Sequence, residues 1–117
     1  MDRKPLVSVI MSVYNEPEYM LSEAVNSILK QTFRDFEFII VNDNPKTSML
    51  NSIKKACGND DRVRILNNEE NLGLARSLNK GIEVAVGKYM ARMDADDISR
   101  EDRLAVEVEY LERTPDI

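Results

Sequence analysis

Four short apolar runs, separated by stretches of helical spacing, constrain this chain more than any other feature. Leu6 to Val13 is apolar and rich in β-branched residues, interrupted only by Ser8 and Ser12, as in a strand covered on both faces. Phe36 to Val41, reading FEFIIV, is a second such run, and it closes on the turn formers Asn42, Asp43, Asn44 and Pro45. Val63 to Leu66 and Tyr89 to Met93 are the third and fourth. Between them, Pro17 sits at a first helical position and Leu21, Ala24, Val25, Ile28 and Leu29 recur at helical spacing. Thr47 is the expected N-cap of a helix carrying Met49, Ile53 and Ala56 and closed by Gly58. Asn71 opens a longer helix with Leu72, Ala75, Leu78, Ile82 and Val86 as its apolar stripe and Gly87 as its stop. Ser99 begins Ser-Arg-Glu-Asp, a start resembling a capping box, for a helix with Leu104, Val108 and Leu111 inward.

Strands that alternate with helices require right-handed crossovers and a mostly parallel sheet, so the fold class is α/β. A chain of 117 residues makes one such domain. In these sheets ligands bind at the carboxyl ends of the strands. Three polar segments therefore meet at one rim: Ser12 to Glu16, Asn42 to Asn44, and Asp94 to Asp97.

The net charge of −5, with no basic stretch to offset it, argues against a nucleic-acid partner. No apolar run approaches the roughly 18 residues of a membrane span, and the N-terminus turns polar too soon for a secretory signal, so a cytoplasmic location is expected. Cys57 is the single cysteine and histidine is absent, so a metal here would be held by oxygen.

The segment KYMARMDADDI supplies that oxygen. Alternate side chains of an extended chain share a face, which puts Asp94 and Asp96 on one side and Ala95 on the other. Paired carboxylates suit Mg²⁺ or Mn²⁺, and without a cation they repel one another. The competing explanation is an exposed turn followed by a helix cap. Asp43 can accept hydrogen bonds from a base or ribose, or it can close an Asx-turn. Tyr14 offers a face for base stacking, or packs at the edge of the core. Arg76 and Lys80 stand four residues apart and can meet phosphate oxygens or simply be solvated. Arg92, inside a strand, needs a carboxylate partner, with Asp94 or Glu83 the candidates, or a ligand to cover it. Neither a Walker loop nor a GxGxxG fingerprint is present.

Taken together and in order, VSVIMSVYNE, FEFIIVNDN, NLGLARSLNKGIEVAVGKY and MARMDADDISREDRL resemble the nucleotide-binding half of family 2 inverting glycosyltransferases, over nearly the whole chain. The resemblance implies a Rossmann-like GT-A fold and a nucleotide-sugar donor, most often a UDP-sugar. It also implies transfer with inversion to a saccharide or lipid-linked saccharide acceptor, commonly in surface polysaccharide synthesis at the inner face of the membrane. It further implies that Ser12, Tyr14 and Glu16 line the base and ribose pocket and that Asp43 bonds the base. Arg76 and Lys80 would approach the diphosphate, Asp94 would face the ribose or sugar, and Asp96 would ligate Mn²⁺ or Mg²⁺, with Asp97 a third participant.

Two departures qualify the likeness. Asn42 stands where many relatives carry the first of two adjacent aspartates. The resemblance implies that the general base of the inverting reaction lies in the acceptor half, so it is expected beyond Ile117, and the Thr114 to Ile117 ending resembles the lead-in to another strand. The expectation is a donor-binding part at residues 1–117, inactive by itself and prone to self-association through an exposed sheet edge. Three rival readings fit less well or leave the acids idle. A receiver domain needs acids after its first strand, where this chain has Ser12 to Asn15. A haloacid-dehalogenase-like phosphatase carries its DxD after the first strand, whereas here it follows the fourth. In a non-catalytic α/β module the acids would only cap a turn.

Overall fold

A computed structural model describes residues 4–113; the TPDI ending lies outside the described residues. The elements run β1 (Val7–Val13), α1 (Glu18–Leu29), β2 (Phe36–Asn42), α2 (Thr47–Cys57), β3 (Val63–Asn67), α3 (Leu74–Val84), β4 (Tyr89–Asp94) and α4 (Arg103–Arg113). The sheet order is β3-β2-β1-β4, with every pairing parallel.

That order determines which face each helix covers. From β1 to β2 to β3 the chain moves in one direction, and α1 and α2 lie on one side. The passage from β3 to β4 runs back across β2 and β1, so a right-handed crossover puts α3 on the opposite face. The two cores follow. Val9, Met11, Val13, Phe38 and Ile40 pack against Leu21, Ile28, Ile53 and Leu104 from α1, α2 and α4. The smaller core joins Ile10, Ile39 and Val41 to Leu66, Leu78 and Val84. Burying each large aliphatic side chain is worth about 1.5–3 kcal/mol, so the first face carries most of the stability.

All four helix starts differ from the sequence expectation; Pro17, expected at the first helical position, is the cap residue of α1, which begins at Glu18. Thr47 is the first residue of α2 and Lys46 precedes it at the cap position, with no side-chain cap; Asn44 Oδ1 instead accepts the Lys46 N–H at 3.0 Å. The third helix begins at Leu74 after Gly73, whose φ of 91° is in the glycine-favouring region. Its buried face is Ser77 and Gly81, while Ala75 and Ile82 are exposed. The small residues prevail because α3 lies directly on the sheet: a Cβ at Gly81 would stand 2.6 Å from Ile10 Cγ2. Ser99 does not cap α4, which starts four residues later. Its Leu104 N–H is satisfied from another element, by Gln31 Oε1 at 2.9 Å.

Candidate functional site

Strand order reverses between β1 and β4, the switch point at which parallel α/β sheets open a crevice. Ser12 sits there, abreast of Val41 on one side and Asp94 on the other. Two residues further along each chain come Tyr14, Asp43 and Asp96. Register thus brings all three polar segments to one rim. Because α3 packs on β1 and β2, the matching face of β4 stays open, and Met90, Arg92 and Asp94 are exposed there.

The acidic cluster follows the expected alternation: Met93 and Ala95 are buried, and Asp94 and Asp96 are exposed. Ligand atoms of Asp94, Asp96 and Asp97 all lie within 4.8 Å of one another. Three hard oxygen donors at that spacing, open to water, fit a small divalent cation. The Asp97 N–H donates to the Asp94 carbonyl at 3.1 Å, which folds the loop back on itself. Arg92 finds the expected partner in Asp94, with Nη2 to Oδ1 at 3.3 Å, and both are more than half exposed, so the pair contributes little to stability.

Asp43 is placed differently from its neighbours on the rim. It is 2% exposed, and its carboxylate accepts four protein donors. Oδ1 takes Asn68 Nδ2 at 2.8 Å and the Leu72 N–H at 2.7 Å. Oδ2 takes Asn71 Nδ2 and the Gly73 N–H, both at 2.9 Å. Burial raises this carboxyl, but the bonds from Leu72, Asn68 and Gly73, with the nearby Ser77 hydroxyl, outweigh it and hold the group below its ordinary 3.8. Chemically this is an anchored anion at the start of α3, where the helix dipole favours negative charge. The Asx-turns belong to its neighbours, since Asn42 Oδ1 accepts the Asn44 N–H and Asn44 Oδ1 accepts that of Lys46.

Tyr14 is half exposed, as a stacking platform must be. Its N–H donates to Glu16 Oε1 at 2.8 Å, and its carbonyl accepts Asn44 Nδ2 at 2.7 Å. Arg76 is exposed. Lys80 is half-buried and donates to Asn68 Oδ1 at 2.6 Å, so the two cations of α3 do not act alike. An open depression of about 420 Å³ adjoins Asp97, lined also by Arg100, Arg103 and Val106; Tyr14 and Asp43 are not part of it.

Sequence reasoning missed Asn68, Asn71 and Ser77, which form the network around Asp43, with Asn68 and Ser77 buried and Asn71 at its exposed edge. The signal available was a cluster of asparagines after the third apolar run. It also missed Gln31, because nothing in a lone glutamine between helix and turn announces burial.

The sequence profile described as Glycosyl transferase family 2 matches residues 8–117. An uncharacterized glycosyltransferase of Methanocaldococcus jannaschii is 48% identical over 97% of this chain and 40% of its own length. Staphylococcus aureus TarS, residues 1–349 in complex with UDP-GlcNAc, superposes with a TM-score of 0.81 at 26% identity, covering 92% of this chain and 31% of that one. The mannosyltransferase PcManGT from Pyrobaculum calidifontis, in complex with GDP-Man and Mn²⁺, has a TM-score of 0.82 at 23% identity over 94% of this chain and 33% of its own, and it shows the shared fold. The chain spans about two fifths of the length of curated relatives it matches.

Proposed function

Because the chain belongs to glycosyl transferase family 2, we propose that its rim holds the donor of a sugar-transfer reaction, a nucleoside-diphosphate sugar and most simply a UDP-sugar. The fold is the Rossmann-like GT-A arrangement. The observation that carries the reading is the trio Asp94, Asp96 and Asp97, with ligand atoms within 4.8 Å at the strand-order switch. The structure of TarS residues 1–349, 26% identical, is a complex with UDP-GlcNAc, which supports a uridine donor.

In this reading Tyr14 stacks on the base, Ser12 and Glu16 bound the ribose pocket, and Arg76 meets the diphosphate. Asp96 and Asp94 hold Mn²⁺ or Mg²⁺, joined by Asp97. When bound, the cation neutralises charge growing on the departing nucleoside diphosphate. Asp43 reaches the base only where a base N–H replaces the exposed Asn71 amide on Oδ2. Lys80, held on Asn68, stays behind the rim and supports Asp43. The reading assigns no general base to this chain. Inversion, the acceptor and a role in surface polysaccharide synthesis belong to the whole protein and follow from the family resemblance.

The test is calorimetric titration of UDP with and without Mn²⁺. Binding is expected only with the metal. Asp96→Asn is expected to abolish it while leaving the urea midpoint unchanged or raised, because a repelling carboxylate is removed. Metal-independent or absent UDP binding by the wild-type chain would overturn the reading, and an unfolded Asp96→Asn would favour a structural cap.

A further inference from the structure

Gln31 follows α1 and is fully buried, yet every polar atom of its amide is used. Nε2 donates to the Ser27 carbonyl at 2.9 Å and to the Arg100 carbonyl at 2.6 Å, and Oε1 accepts the Leu104 N–H at 2.9 Å. Two donors and one acceptor in a single plane are what an amide offers and a carboxylate or thioether does not. Around it the same strip of chain is held again. Ser27 Oγ accepts the Ser99 N–H at 3.0 Å, and the Thr32 N–H donates to the Glu101 carbonyl at 2.8 Å.

The held segment begins two residues after Asp97. At its other end Asp94 is fixed by β4 pairing with β1. Arg103 ties the two ends together, donating from Nη2 to the Arg92 carbonyl at 2.8 Å and from Nη1 to Ser99 Oγ at 3.1 Å. The carboxylates themselves are exposed and make few bonds, so their spacing depends on where the loop is pinned. We propose that Gln31 is a positioning residue for the acidic loop: from the far end of α1 it sets the separation of Asp94, Asp96 and Asp97 and so their affinity for a divalent cation. This rests on the donor-site reading above.

Gln31→Met keeps the length and apolar stem and removes all three bonds. In the 117-residue chain we expect it to weaken Mn²⁺ binding, titrated with and without UDP, by roughly tenfold, the lower end of what outer partners of metal ligands show. Amide exchange at residues 95–99 should accelerate by about tenfold or more, with the β1 and β2 amides unchanged. Ile53→Val, a core change on the buried face of α2, serves as a control that lowers stability without altering Mn²⁺ affinity. A folded Gln31→Met that binds Mn²⁺ like wild type overturns the positioning role alone. A wild-type chain that binds no Mn²⁺ overturns the cation reading beneath it. Should Gln31→Met fail to fold, Ser27→Ala decides by the same two measurements, since it releases the Ser99 N–H from the same anchor and otherwise gives up only the local bond from Ser27 Oγ to the Ala24 carbonyl.

Discussion

Asp43 and Asp96 have the same side chain at the same register, each two residues past the partner of Ser12 on the strands that flank β1, and the structure gives them opposite environments. Asp96 faces water beside other carboxylates, whereas Asp43 is enclosed by N–H donors. Asp43→Asn turns an amide NH₂ toward groups that already donate and leaves at least one of them unpaired. The expected loss is about 1–3 kcal/mol at neutral pH, read by urea denaturation. Since the folded carboxyl sits below its ordinary 3.8, its contribution is complete above that value and is lost as pH falls through the lower folded one. The gap between wild type and Asp43→Asn should therefore narrow below about pH 4. A constant gap down to about pH 2 would mean that the charge of Asp43 contributes nothing. Of this site, the residue types were legible in the sequence. Which aspartate is enclosed was not, because its donors come from Asn68, Asn71, Leu72 and Gly73, at least 25 positions away.

Among the elements, α3 departs furthest from its hydrophobic pattern. Periodicity points to Leu72, Ala75, Leu78, Ile82 and Val86, yet the helix seats on Ser77 and Gly81 and leaves Ile82 and Val86 exposed. An apolar stripe reports only what is greasy, and close approach to a sheet selects for what is small. Gly81→Ala should cost roughly 1–3 kcal/mol, because the new methyl meets the stiff, β-branched Ile10. Gly87→Ala should cost more. Its Cβ would stand 2.6 Å from the Ser8 backbone nitrogen, where no side chain can yield. Thermal melts of the two variants check this order, and a smaller loss for Gly87→Ala would contradict the packing. The strands read more easily: all four lie within a residue or so of their apolar runs, and burial on both faces gives β1 and β2 an uninterrupted signal.

For the molecule as a whole, Ile82, Val86 and Met90 are exposed, and among the described residues β4 pairs on one side only. We propose that self-association, if it occurs, uses this edge; sedimentation at rising concentration checks it, and a constant monomer mass would remove it. No described helix is long and apolar enough to cross a membrane. Cys57 reports on global opening. Burial, with the nearby Asp60 charge, lifts its thiol to about 11, so thiol reagents at neutral pH should label it only as fast as the domain unfolds. Rapid labelling in native buffer would show that α2 opens locally. The alternation of runs was enough to determine an α/β sheet, the parallel crossovers and the rim where polar segments collect, since each follows from local periodicity and chain handedness. The strand order, the side on which α3 lies, the enclosure of Asp43 and the anchoring of the acidic loop by Gln31 were decided only in three dimensions. Those depend on hydrogen bonds and close contacts between residues far apart in the chain, which local pattern does not encode.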